Sequence, residues 1–405
     1  MVKSFLHKLL LRRHFWRYAT FSEVAELYTS RVLRLAAVHI VGGFMSVYLY
    51  QLGYSVTFIA LAWGCFYALK VFTALPSAAL VARIGPKHGI LLANILYIPA
   101  MICFALLPEY GAWLLVPTLV FQALSIDIYA VAYNVDFSKV KSTEHAGKEI
   151  AYMNIFEKIT AGLSPLIGGF IAFFFGPQVV MVVAAILFAV AAAPLFRSGE
   201  PVHTGRKLQF KGFPWRLFFK QSAAQWSIGF DVFASGIAWS LYIAVIILGV
   251  GEEDDIYAQL GALVSVVFLA ALVASYTFGR LIDRRRGKDL MQLGVVANSI
   301  THLMRPFINT PVAVAGLNAA NEVATTAYTM PYTRAVFDNA DLSGTRTTYL
   351  GLVEMFSNFG AACAAFTLAG VAYFFGDTVS LSNFFFFAAA VALVVLSARF
   401  PLYKR

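Results

Sequence analysis

Stretches of about 20 mostly apolar residues return along this chain about every 34 residues, and that is the length an α-helix needs to cross the hydrocarbon core of a bilayer. Twelve such spans can be drawn: 32 to 52, 56 to 82, 88 to 107, 111 to 135, 148 to 175, 178 to 196, 224 to 249, 256 to 280, 289 to 307, 311 to 335, 346 to 375 and 382 to 399. Turn residues or charges punctuate them. With 13% charged residues among 405, against about a quarter in soluble folds, the chain has too little polar surface to stay dissolved, and its 60% hydrophobic content excludes disorder. The sequence predicts an all-α polytopic membrane protein with twelve transmembrane helices.

The net charge of +10 does not point to nucleic acid, because the basic residues sit in short clusters between apolar runs. With the N-terminus inside, 28 of the 31 Lys and Arg fall on the cytoplasmic side, leaving Lys70 and Lys158 within spans and Arg305 near the outer end of the ninth. The positive-inside rule therefore predicts both termini in the cytoplasm, with the inner (plasma) membrane as the expected location. Residues 1–30 carry Lys3, Lys8, Arg12, Arg13 and Arg17 against Phe5, Leu6, Leu9, Leu10 and Phe15, the pattern of an amphipathic helix lying on a membrane surface. Cys65, Cys103 and Cys363 fall inside apolar spans and read as small buried residues, with no disulfide framework and no metal site expected.

The longest polar connection, 198–222, divides the spans six and six, giving an N-terminal bundle over 31–197 and a C-terminal bundle over 223–405. The halves look duplicated. Tyr129 and Tyr133 stand where Tyr328 and Tyr332 stand about 200 residues later, and Phe174-Phe175-Gly176 recurs as Phe374-Phe375-Gly376. Parallel repeats of this kind are related by an axis along the membrane normal.

After the eighth span comes Gly279-Arg280-Leu281-Ile282-Asp283-Arg284-Arg285-Arg286-Gly287-Lys288, which resembles the GxxxDRxGRK signature of the major facilitator superfamily with one extra residue before the second glycine. At the matching place after the second span, Arg83, Gly85 and Lys87 survive while alanines replace the first glycine and the aspartate. The resemblance covers nearly the whole chain. It implies two pseudo-symmetric six-helix bundles rocking about a central site, with helices 1, 4, 7 and 10 lining it, helices 2, 5, 8 and 11 between the bundles, and helices 3, 6, 9 and 12 facing lipid. It also implies an inner gate at Gly279, Asp283, Arg284, Arg83 and Gly85, in which Asp283 meets the start of the fifth helix, where a macrodipole attracts an anion. Gly162-Leu163-Ser164-Pro165-Leu166-Ile167-Gly168-Gly169 is similar to the GxxxGPxxGG pattern of antiporter branches and makes Pro165, Gly168 and Gly169 hinge candidates. The same small residues also serve ordinary membrane-helix packing.

An ionisable residue at the centre of a membrane helix costs about 2.5 to 3.5 kcal/mol on insertion scales, so those within spans carry information. They are His39, Lys70, Asp127, Glu157, Lys158, Asp231, Glu322 and Glu354, while the third, sixth and twelfth spans have none. Glu322, with Asn318 and Asn321 a turn or less away, reads as a substrate or proton site, or else as a carboxylate paired to Lys70 or Arg334. Asp127 reads as a proton carrier, because a carboxylate short of water keeps its proton more readily unless a cation is close. Lys70 is the obvious cation, in a working or a structural pair. His39 and Asp231 complete the expected substrate and proton set, although a lone histidine is more often a packing residue. Glu157, Lys158 and Glu354 read as gate or interface residues. Trp63 and Tyr50 read as members of an interfacial aromatic belt.

Together these features predict a secondary transporter, not an enzyme, that moves a small organic solute by alternating access in proton-coupled antiport. A proton symporter or a uniporter for a nutrient or lipid-like substrate is the alternative, ahead of a membrane enzyme or receptor. No GxxxxGK[ST] loop and no clustered catalytic constellation stands in the sequence. The expected partners are a small-molecule substrate, the lipid bilayer and protons, with no cofactor, and the expected state is a monomer.

Overall fold

The computed structural model of the chain describes residues 21–140, 146–196, 207–249, 255–283 and 286–403. Almost all of them are helical, and no strand occurs among them. The first helix, α1, runs over Phe21–Gly42, breaks at the Gly42-Gly43 pair and resumes over Met45–Gln51. Then follow α2 (Val56–Ile84), α3 (Pro86–Ala105), α4 (Leu115–Val140), α5 (Ala146–Phe175) and α6 (Pro177–Ala192). The second half begins with α7, α-helical over Trp215–Phe233, π-helical over Ala234–Ala238 and again over Ile243–Leu248. It continues with α8 (Asp255–Ser265 and Val267–Asp283), α9 (Gly287–Met304), α10 (Pro311–Leu342), α11 (Arg346–Phe375) and α12 (Asp377–Ala392).

Local chemistry sets several of these boundaries. Ser55 and Thr310 cap α2 and α10 by accepting from the backbone N–H groups of Phe58 and Ala313, which have no carbonyl partner one turn back. Pro86, Pro177 and Pro311 open α3, α6 and α10, where a missing N–H costs nothing. Gly176 and Gly376 end α5 and α11 at φ +87° and +78°, a conformation that favours glycine, and each leads directly into the next helix. The same device at matching places is the duplication expressed in backbone geometry.

Packing repeats the pattern. In the first half α3 lies against α4 and α6, α2 against α4, and α1 against α5 and α6. Six helices later α9 lies against α10 and α12, α8 against α10, and α7 against α11 and α12. The halves meet where α2 runs along α11 and where α5 runs along both segments of α8. The remaining faces are apolar and exposed, with Ile95 and Ile102 on α3, Ile186 on α6, Leu293 and Ile300 on α9, and Phe386 and Phe387 on α12. That is the arrangement the resemblance implies, with helices 3, 6, 9 and 12 outermost.

Among the described residues ten helical stretches are long and apolar enough to cross a membrane, and α9 and α10 are not among them. Both helices form where they are predicted, but Lys288, Asp289, His302, Asn318, Asn321 and Glu322 make them too polar to qualify by composition. The helix α7 begins nine residues before its predicted start, because Trp215, Leu217, Phe218 and Phe219 extend it beyond the apolar window. Trp63 is buried, its Nε1–H donating to Ser46 Oγ at 2.9 Å, so it belongs to the interior and not to an aromatic belt. Cys65, expected inside, is exposed, while Cys103 and Cys363 are half-buried. Residues 1–20 of the amphipathic segment, 197–206 of the connection, the Asp283 side chain and Arg284 lie outside the described residues. The end of the connection is tied down: Phe213 is buried beside Tyr349, and Gln209 N–H donates to Thr348 Oγ1 at 3.3 Å.

Candidate functional site

Two groups of charged side chains lie on the seam between the halves. In the first, Lys70 on α2 lies 3.5 Å from Asp127 Oδ1 on α4 and 3.4 Å from Glu354 Oε1 on α11, and it donates to Asn358 Oδ1 at 2.8 Å. Asn358 Nδ2 donates in turn to Asp127 Oδ1 at 3.2 Å, and Thr73 Oγ1 donates to Asp127 Oδ2 at 2.5 Å. Residues 70 and 73, and residues 354 and 358, are one helical turn apart, so each helix presents a polar pair to the same point. Lys70 and Asp127 are buried and Glu354 is 22% exposed. Opposite charges removed from water need such mutual contacts, because an unpaired one costs several kcal/mol.

In the second group Lys158 on α5 meets Glu322 on α10 at 2.6 Å, and Thr326 Oγ1, one turn along, donates to Glu322 Oε1 at 3.0 Å. Both charged groups are partly open, at 28% and 16% exposure. Beside them Arg31 on α1 grips Glu157 on α5 through Nε at 3.0 Å and NH2 at 2.7 Å, and its guanidinium lies 4.0 Å from the Tyr133 ring centroid. His39, two turns along α1 from Arg31, is within electrostatic reach of Lys158 and Arg31.

Each half also encloses a polar knot. In the second half Asp231 on α7 meets His302 Nε2 at 2.5 Å, accepts from Asn298 Nδ2 at 3.2 Å and from Ser235 Oγ at 3.0 Å, and accepts from the Tyr328 hydroxyl. Arg305 lies 2.9 Å from His302 Nδ1 and donates to Ser235 Oγ, Asn321 Oδ1 and the Ala234 carbonyl. That carbonyl opens the π-helical turn, a feature that recurs at functional sites. A guanidinium only donates, so Nδ1 accepts and the ring hydrogen sits on Nε2, pointing at Asp231. In the first half Arg34 donates to Asn94 Oδ1 at 2.8 Å and Ser125 Oγ at 3.0 Å. The two arginines are packed alike, Arg34 against Tyr129 and Phe188 of α6 and Arg305 against Trp239 and Phe385 of α12.

The structure thus brings Lys70, Asp127 and Glu354 into one cluster and Lys158 and Glu322 into another. Asp231 goes to the second half's interior. Asn318 and Asn321 also leave Glu322: Asn318 accepts from Trp239 Nε1 at 2.6 Å, and Asn321 accepts from Arg305 and Thr301. Arg334 donates to the Ile282 carbonyl. At the hinge candidates the small residues admit close backbones. A side-chain carbon at Gly168 would collide with the carbonyl of Ile40, one at Gly169 with that of Tyr257, and one at Gly261 with that of Pro165. Gly279 is buried in α8, Arg83 is exposed at the end of α2, and Gly85 turns the chain into α3 at φ +91°. The sequence reading missed Arg34 and Arg305. Counting Arg31 and Arg34 with the cytoplasmic charges hid their place among aromatic rings, although Arg34 is 3% exposed and Arg305 1%. Among the described residues no group of three or more His, Cys, Asp or Glu could hold a metal ion.

A family model described as Major Facilitator Superfamily matches residues 27–253. No curated protein sequence matches the chain. Among solved structures, a POT family transporter in complex with 5-aminolevulinic acid superposes with a TM-score of 0.69 at 14% identity, covering 94% of this chain and 95% of that one. The human organic anion transporter MFSD10 (TETRAN) gives 0.67 at 12% identity, over 91% and 98%. FucP, a Major Facilitator Superfamily transporter in the outward conformation, gives 0.61 at 14% identity, over 92% and 97%. At these identities the likeness is one of fold.

Proposed function

The chain belongs to the major facilitator superfamily of membrane transporters, and from that premise we propose that it is a proton-coupled secondary carrier of a small organic solute, working by alternating access in the direction of efflux. The halves, 31–197 and 223–405, are the moving bodies and 198–222 is their cytoplasmic tether. Both termini lie in the cytoplasm, and the working unit is a monomer in the cell's inner membrane.

One observation carries the coupling. Among the described residues along the seam three carboxylates, Asp127, Glu322 and Glu354, face two ammonium groups, Lys70 and Lys158, since Arg31 is matched by Glu157 within its own half. One negative charge is left over. A membrane interior does not tolerate an unmatched charge cheaply, so the closed seam calls for one proton, or the charge of a cationic group, on that set. Lys70 shares itself between Asp127 in one half and Glu354 in the other, so separating α2 from α11 leaves Glu354 without its ammonium. A proton held in the closed seam, and released where opening brings Glu354 into water, couples the two events. The proline-bearing, glycine-lined α5 crossing α8 supports an exchanging carrier whose halves slide past each other, as the antiporter-like pattern at Gly162–Gly169 suggests.

Purified protein in vesicles under an imposed pH gradient, offered a mixture of small organic solutes and followed by mass spectrometry of the lumen, tests this reading. Gradient-driven redistribution of some solute is expected. Glu354→Gln and Asp127→Asn should each cut the gradient-driven component by about tenfold or more while leaving solute exchange at equal pH. Full coupling in both variants contradicts the assignment.

A further inference from the structure

The second seam pair says what kind of solute the carrier takes. We propose that the substrate is a small zwitterion, its anionic group bound at Lys158 on the first half and its cationic group at Glu322 on the second. This rests on the reading of the seam as an opening transport pathway.

Consider what each wall keeps when the halves part. Among the described residues the only ion-pair partner of Lys158 at the seam, Glu322, belongs to the other half. On the first half Arg31 remains satisfied by Glu157 through two nitrogens, and these two groups cancel. The Lys158 ammonium then stands as one unmatched positive charge, with the His39 ring inside its field. On the second half Glu322 keeps, among the described residues, the Thr326 hydroxyl, a neutral donor. At this pair the walls therefore carry one charge each, of opposite sign, at groups that are partly open in the closed form while the Lys70 and Asp127 pair is buried.

A solute of one sign satisfies one wall and leaves the other charge bare at mid-membrane. A zwitterion substitutes for both partners at once, its anion taking the place of Glu322 on Lys158 and its ammonium the place of Lys158 on Glu322. The charge count of the seam is then the same with substrate bound as with the seam closed, so the proton traffic at Lys70, Asp127 and Glu354 stays separate from substrate charge. Discrimination follows from the unmatched partner, because a buried carboxylate or ammonium left alone costs more than a lost contact.

Thermal-shift titration of the purified full-length protein tests this with ω-amino carboxylates of two to six carbons, each against the straight-chain carboxylate and the alkylamine of the same length. At least one zwitterion should stabilise the protein and bind about tenfold or more tighter than both single-charge analogues, a difference of about 1.4 kcal/mol. Lys158→Gln should erase the preference for the zwitterion over the amine, and Glu322→Gln its preference over the carboxylate. The exchanged pair Lys158→Glu with Glu322→Lys rebuilds the ion pair with its polarity reversed and should recover thermal stability. Single-charge analogues that bind as well, or no stabilisation by any amino carboxylate, each overturn the proposal. Gradient-driven movement of some other solute, with zwitterions ignored, would sink this substrate class and leave the coupling reading standing. Zwitterion binding without any gradient-driven transport would do the reverse.

Discussion

At the scale of single residues, the Arg305, His302 and Asp231 chain sets an arrangement that nothing else around it can replace. The neutral ring passes the attraction between a guanidinium and a carboxylate across its width, one nitrogen accepting and the other donating. Removing either charged end strands the other in the interior of the second half, which costs about 3–5 kcal/mol. Arg305→Met and Asp231→Asn should therefore each lower the melting temperature in detergent markedly. The double variant should be less destabilised than the sum of the two, and a strictly additive double-mutant cycle would show that the ends are not coupled. The chain also has a positioning consequence. Arg305 and Thr301 both donate to Asn321, so the residue beside Glu322 is fixed from α9, and with it the rotation of α10 that sends Glu322 toward Lys158. None of this was legible in the sequence. His302 and Arg305 stand at the end of an apolar span, where linear spacing reads them as interfacial, and only the approach of α7 encloses them.

Among the elements, α5 and α8 form the contact that must move for the halves to rock. Pro165 and Gly169 on α5 face Gly261 and the Tyr257 carbonyl on α8, so the two backbones touch without intervening side chains. Gly169→Ala should wedge this crossing apart, slowing transport by about tenfold or more through the conformational step, whereas Gly370→Ala, with open space around it, should be neutral. Equal transport rates in the two variants would show that the crossing is not part of the motion. The prediction of GLSPLIGG as a hinge rests on small residues and proline alone, and geometry adds what periodicity cannot supply: which backbone each glycine admits. Helix existence was legible throughout, because hydrocarbon thickness imposes a length that composition reveals. Helix ends were less so. Trp215 to Phe219 extend α7 through a charged stretch, and the polarity that sets α9 and α10 apart belongs to Lys288 and Asp289 at the exposed start of α9 and to side chains turned toward the knot and the seam.

For the whole molecule, the duplication predicted from paired tyrosines and the Phe-Phe-Gly endings is realised as matched packing in both halves and matched glycine turns at Gly176 and Gly376. The ionisable residues within spans were read from sequence as a substrate and proton set and a gate set, and the structure sorts them differently, into two seam clusters and the second half's knot, with the first half's knot built on Arg34. That sorting depends on which helix faces which, and a single sequence does not encode it locally. Lys70 bridging Asp127 and Glu354 came closest to being foreseen, because an intramembrane lysine has few alternatives. The proposed carrier requires the seam to open in turn on opposite faces. Spin labels at Trp113→Cys and Phe307→Cys, after the third and ninth helices, and at His88→Cys and Lys288→Cys, on the opposite face, report the two openings in a background lacking the three native cysteines. Pulsed electron resonance on the two label pairs in lipid, at a series of pH values, is the most direct measurement. One distance should lengthen as the other shortens, with the pH response lost in Glu354→Gln, and two distances that stay fixed, or that change together, would contradict the account.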